Sequence, residues 1–134
     1  MSSSKVFISY AAPDRDYAES LKPRLSQLLS EPDQTVEVVD AHRGVGGGDD
    51  WRRAIRTAID EAGSVVIVAS PAGDASQWVN YEAGLADALG KRIVIVGRPG
   101  ADKGSVLMRR LAGEARVMEF DDSNGGHLAP MSCP

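Results

Sequence analysis

Two runs in this chain, 64–70 (SVVIVAS) and 92–97 (RIVIVG), are apolar through their interior instead of alternating apolar with polar. A strand with one wet face alternates, whereas a strand covered on both faces does not. Such strands belong in the middle of a parallel sheet with helices packed on each side. Three further β-branched or apolar runs, 5–10 (KVFISY), 35–40 (TVEVVD) and 116–120 (RVMEF), complete a set of five. The run at 35–40 alternates more than the others and reads as an edge.

Helical segments separate these runs. From Asp14 to about Leu29, the residues Tyr17, Leu21, Leu25 and Leu28 recur at helical spacing, although Pro23 should cost a hydrogen bond there and bend or interrupt the axis. Asp49 or Asp50 can cap a helix carrying Trp51, Ala54, Ile55, Ala58, Ile59 and Ala62. Ser76 can cap a helix over 77–89, and Gly90 suits its end. A shorter helix is expected over 105–112. Strict strand–helix alternation implies right-handed crossovers and an α/β fold. We expect a flavodoxin-like, three-layer domain with a five-stranded parallel sheet in the order 2-1-3-4-5. Ligands in such sheets bind at the carboxyl ends of the strands where the order reverses, here between strands one and three. Ser9, Tyr10, Ala11, Ser70, Pro71 and the start of the helix at Trp78 would border that crevice.

The length of 134 residues fits one domain, expected over 1–120, with 121–134, rich in Gly, Ser and Pro, as a flexible tail or linker stub. A net charge of −4 with scattered Arg and Lys gives no nucleic-acid footprint. No run approaches the ~18 apolar residues of a membrane span, and the opening residues lead into a strand rather than a signal peptide. The single cysteine, Cys133, cannot form a disulfide within the chain, and a cytoplasmic location is the expectation. His42 and His127 are far apart, and no metal cluster is evident.

One acid sits where the helix over 77–89 wants something apolar. At 100° per residue, Val79, Ala83, Ala86 and Leu89 define its apolar face, and Glu82 falls inside that arc. A carboxylate facing a core must be solvated, paired or neutralised. Glu82 could line a cleft wall, pair with an arginine, or cap a backbone group. Trp78 shares its face, four residues away, and could stack on a flat ligand or simply pack. Ser9 and Tyr10 stand at the end of the first strand, as crevice residues or as turn and core. Arg43 could meet a phosphate or could be a solvated loop arginine.

The segment 41–50 (AHRGVGGGDD) joins a strand to a helix, the place for a phosphate loop. It has no G-x-G-x-x-G, because Asp49 takes the third glycine position, and no Gly-Lys-Ser/Thr ending. Two acids at the helix start would also repel phosphate. Gly44, Gly46, Gly47 and Gly48 read instead as a conformationally free loop.

Three segments in order resemble the Toll/interleukin-1 receptor (TIR) domain family, especially its bacterial members: KVFISYAAPDRDYAESL, GDDWRRAIRTAIDEAGSVVIVAS and SQWVNYEAGLADALGKRIVIV. The first is similar to the family's strand ending in Ser-Tyr before an Asp-led helix. The second is similar to the helix and strand after its mobile loop, and the third to the segment bearing its W-x-x-x-E motif. The resemblance implies an enzyme that cleaves NAD⁺ at the nicotinamide–ribose bond, as a glycohydrolase or ADP-ribosyl cyclase. It implies Glu82 as the catalytic acid, with Trp78 its aromatic partner. Ser9, Tyr10 and Arg43 are weaker substrate-binding candidates, and Gly44 and Gly46–48 would belong to the loop that gates the site. It further implies self-association, a role in bacterial antiviral defence, and NAD⁺ as substrate with no separate cofactor. Two other functions fit parts of the sequence. One is an adaptor that only assembles with other TIR domains. The other is an enzyme like the nucleoside 2-deoxyribosyltransferases, whose EAG…A…LGK segment is similar.

Overall fold

The computed structural model describes residues 2–29, 34–39, 50–97, 116–121 and 127–130. The elements in chain order are β1 (Ser2–Ser9), a 3₁₀ turn (Ala12–Asp14), α1 (Arg15–Leu29), β2 (Gln34–Val39), α2 (Asp50–Glu61), β3 (Ser64–Ala69), α3 (Pro71–Ala75), α4 (Gln77–Ala88), β4 (Arg92–Gly97), β5 (Arg116–Asp121) and β6 (His127–Pro130). The sheet order is β2-β1-β3-β4-β5-β6. Its first five strands are parallel, in the order 2-1-3-4-5, and the alternating run does form the edge strand β2. The fold is flavodoxin-like.

The segment read as a tail contributes more than that reading allowed. Asp121 extends β5, and β6 adds antiparallel to it, with Phe120 opposite Leu128 and Met118 opposite Pro130. A four-residue strand carrying a proline shows no period of its own; it is tolerated because it lies at the sheet edge, where one row of N–H groups has no strand to bond.

Strand alternation divides the core into two layers. On one face Phe7, Val65, Ile67, Ala69, Ile93 and Ile95 pack with Ile55 and Ile59 of α2 and with Val79, Ala83 and Ala86 of α4. On the other, Val6, Ile8, Val66, Val68, Val94 and Val96 pack with Tyr17, Ala18, Leu21 and Leu25 of α1. The central strands are therefore apolar on both sides, which is why their sequences do not alternate. Helix α1 runs through Pro23 without interruption. The Tyr17 hydroxyl donates to the Gly97 carbonyl at 3.1 Å, and Ser26 Oγ donates to the Val36 carbonyl at 2.9 Å, fastening α1 across the sheet. The proposed cap at Asp49, the helix over 105–112, Arg43 and the glycines 44 and 46–48 lie outside the described residues.

Helix α4 carries both of its expected end signals. Ser76 Oγ accepts from the Val79 N–H at 3.1 Å. At the other end Gly90 adopts φ +68°, the Gly90 N–H donates to the Asp87 carbonyl at 3.1 Å, and the Lys91 N–H donates to the Ala86 carbonyl at 3.0 Å. This pair of bonds is the Schellman arrangement. A Cβ at Gly90 would meet nothing within 4 Å, so any penalty there belongs to the backbone alone. Gly90→Ala is expected to destabilise the domain by about 1 kcal/mol, measured by urea unfolding, because only glycine takes positive φ freely. An unchanged midpoint would refute that account.

Candidate functional site

Four polar residues are buried at the carboxyl ends of β1 and β3: Ser9, Asp14, Ser70 and Glu82. They form two serine–carboxyl pairs. Ser9 Oγ donates to Glu82 Oε1 at 2.6 Å. The second pair is a hydrogen bond from Ser70 Oγ to Asp14 Oδ2.

The first pair follows from alternation and helical period together. Ser9 lies two residues beyond Phe7, on the face that α2 and α4 cover. Glu82 occupies the buried stripe of α4 with Val79, Ala83 and Ala86. The strand and the helix thus turn the two polar groups toward each other, and the acid in the apolar arc receives a hydroxyl from the neighbouring strand. Both residues are 0% exposed.

Trp78, one turn before Glu82, is half-buried and packs against the same core layer. Tyr10 is placed elsewhere. It is 3% exposed and packs with Tyr17 in the layer on the α1 face. The sequence set Ser9 and Tyr10 side by side at the strand end, but a strand sends neighbours to opposite faces. Only Ser9 joins Glu82.

The second pair involves a residue that sequence reasoning passed over. Asp14 read as the first acid of a helix, a position that is normally wet. It is 2% exposed, because Ser70 arrives from 56 residues further along to meet it. The Ser70 hydroxyl also accepts from the Gly73 N–H at 2.9 Å, capping α3. Asn80 then locks the turn between α3 and α4, donating from Nδ2 to the Asp74 carbonyl at 3.0 Å and to the Ser76 carbonyl at 2.8 Å.

Among the described residues, no group of three or more His, Cys, Asp or Glu could hold a metal ion. None of their helices is long and apolar enough to cross a membrane. What the site offers chemically is a carboxyl group held in one orientation, with an indole on the same helix face and strand ends beside it. Such a carboxylate can stabilise positive charge on a sugar or accept hydrogen bonds from its hydroxyls.

No curated protein matches this chain in sequence. Among solved structures, the chain is similar to the CMP N-glycosidase BcmB of Clostridium botulinum, with a TM-score of 0.56 and 21% identity over 87% of each chain. It is similar to a 2-desoxiribosyltransferase from Leishmania mexicana, with a TM-score of 0.51 and 18% identity, over 70% of this chain and 64% of that one. It is also similar to the TIR domains of the activated Roq1 resistosome, with a TM-score of 0.54 and 15% identity, over 82% of this chain and 71% of that one. At these identities the likeness establishes a shared fold. The sequence profile of the TIR domain matches residues 6–122, from within β1 to the end of β5 and including both partners of the Ser9–Glu82 bond, and the chain belongs to that family.

Proposed function

We propose that this domain cleaves an N-glycosidic bond, and that its substrate is NAD⁺, cut between nicotinamide and ribose. The observation that carries this is the Glu82 carboxyl held by Ser9 at 2.6 Å beside the carboxyl ends of β1 and β3, with Trp78 one turn away. In the reaction, the bond from the nicotinamide ring nitrogen to the ribose anomeric carbon breaks. Its electron pair leaves with nicotinamide, which departs neutral. The ribose is left as an oxocarbenium-like cation, and Glu82 stabilises that charge. Water attack then gives ADP-ribose, and attack by an adenine nitrogen of the same molecule gives a cyclic product. Ser9 keeps Glu82 aimed while the charge develops. Depletion of NAD⁺, or a cyclic ADP-ribose signal, is the role in bacterial antiviral defence that this chemistry would serve.

TIR domains commonly self-associate, and the resistosome neighbour consists of TIR domains in an assembly. Glu82 is fully buried in the single chain, so a substrate reaches it only once it is uncovered. We propose that contact between copies uncovers it. Specific activity should therefore rise with protein concentration, which a dilution series of initial rates checks; a constant specific activity would exclude the idea.

A second reading has its own support. Two of the fold neighbours are named for nucleoside or nucleotide chemistry, a CMP N-glycosidase and a 2-desoxiribosyltransferase. The test is chromatography of reactions with NAD⁺, CMP and deoxynucleosides at high protein concentration. Nicotinamide release is expected. Cytosine release with NAD⁺ left intact would move the substrate to the nucleotide class. No base release from any of them would leave the adaptor reading.

A further inference from the structure

The segment that carries the proposed catalytic acid is pinned to the β1–α1 connection at two points. At one end, Glu82 receives the Ser9 hydroxyl. At the other, Ser70 donates its hydroxyl to Asp14. Ser9 and Asp14 are five positions apart around the end of β1, and on the facing segment Ser70 caps the start of α3 while Glu82 lies in the middle of α4. Between those ends the unit has few ways to relax. Ser70 caps α3 through the Gly73 N–H at 2.9 Å. The Ser76 N–H donates to the Gly73 carbonyl at 3.1 Å, and the Ser76 hydroxyl caps α4 through the Val79 N–H at 3.1 Å. The Asn80 amide holds the carbonyls of Asp74 and Ser76. A series of hydrogen bonds through Ser70, Gly73 and Ser76 thus leads from Asp14 to the first turn of α4, where Trp78 sits.

We propose that Asp14 is a positioning residue: through Ser70 it sets the elbow between α3 and α4 and so holds Trp78 and Glu82 in working geometry. The inference rests on the N-glycosidase reading of Glu82. Asp14 touches no substrate. It is 2% exposed, and its carboxylate receives the Ser70 hydroxyl. Its Ser70 bond joins the β1–α1 connection to the start of the segment that carries Trp78 and Glu82.

The test uses the full chain with Asp14→Ala, Asp14→Asn and Ser70→Ala. Amide hydrogen exchange is followed over 70–82 and, for reference, over β3 and β4, alongside kcat and KM for nicotinamide release. Loss of a buried hydrogen bond is commonly felt as about a tenfold change in a local equilibrium. Asp14→Ala should therefore exchange about tenfold faster over 70–82 with β3 and β4 unchanged, and kcat should fall by about the same factor with KM little altered. Asp14→Asn keeps an oxygen that can accept from Ser70, so it should recover most of both. If Asp14→Ala does not fold, Ser70→Ala removes the same bond from the other side, together with the Gly73 cap, and carries the test through kcat and KM. Faster exchange with kcat intact would make the pair purely structural and overturn the proposal, as would unchanged exchange over 70–82, or failure of both variants to fold. A wild-type chain that releases no base from any substrate would overturn the N-glycosidase reading itself, while the exchange result would still decide whether Asp14 sets the elbow.

Discussion

Glu82→Gln should reduce nicotinamide release from NAD⁺ by about a hundredfold or more while leaving the domain folded. Removing one charged group that stabilises a developing transition-state charge commonly costs about 10²–10³ in kcat. Glutamine is the informative substitution because Glu82 is 0% exposed and its Oε1 receives the Ser9 hydroxyl at 2.6 Å. The amide keeps an oxygen for that hydroxyl and nearly the same volume, while it replaces Oε2 with an NH₂ group and cannot carry the carboxylate charge. Glu82→Ala would confound the result. It leaves Ser9 without its acceptor and opens a void, a combined penalty of about 2–4 kcal/mol. Initial rates at matched concentration, with circular dichroism to verify folding, decide the matter. A folded Glu82→Gln protein that releases nicotinamide at the wild-type rate would remove Glu82 from the chemistry. It would leave the Ser9 bond as a tie between β1 and α4.

The second large effect is on stability. Ile67 is fully buried at the centre of β3, with Ser9 of β1 beside it on one side and Ile95 of β4 on the other. Ile67→Ala removes side-chain atoms from the layer under α4, where neighbouring strands cannot close the gap. A cost of about 3–4 kcal/mol is expected, with a melting temperature lower by about 10 °C. Because Ile67 adjoins Ser9 in the sheet, the same void should loosen the Ser9–Glu82 bond, so residual activity should fall further than the folded fraction does. An exposed position such as Arg56 is the contrast; Arg56→Ala should stay within about 0.5 kcal/mol of wild type. A loss below about 1 kcal/mol for Ile67→Ala would mean that this layer is less tightly packed than a native core.

The features legible in the sequence were those with local causes. The two unalternating runs became β3 and β4 because a strand covered on both faces must be apolar on both. Ser76 and Gly90 marked the limits of α4 because a cap and a positive-φ stop act within a few residues of themselves. The strand order followed from the succession of elements. The placing of Tyr10 in the opposite layer was also within reach, since alternation alone separates it from Ser9.

Glu82 marks the limit of that method. Helical period determined that its carboxyl faces inward, but no local rule says what an inward acid meets. The answer came from Ser9, 73 positions away, once the sheet had brought β1 under α4. Asp14 is the same case with less warning, an ordinary acid at a helix start that is buried because Ser70 closes over it from 56 positions away. β6 likewise needed β5 already in place as the edge to pair with. Periodicity and capping are properties of neighbours along the chain, so the sequence by itself determined the elements, their order and the direction in which Glu82 points. A hydrogen bond across the core depends on where two distant elements come to rest, so only the tertiary structure decided that Glu82 is gripped by Ser9 and that Asp14 and Ser70 brace the segment carrying it.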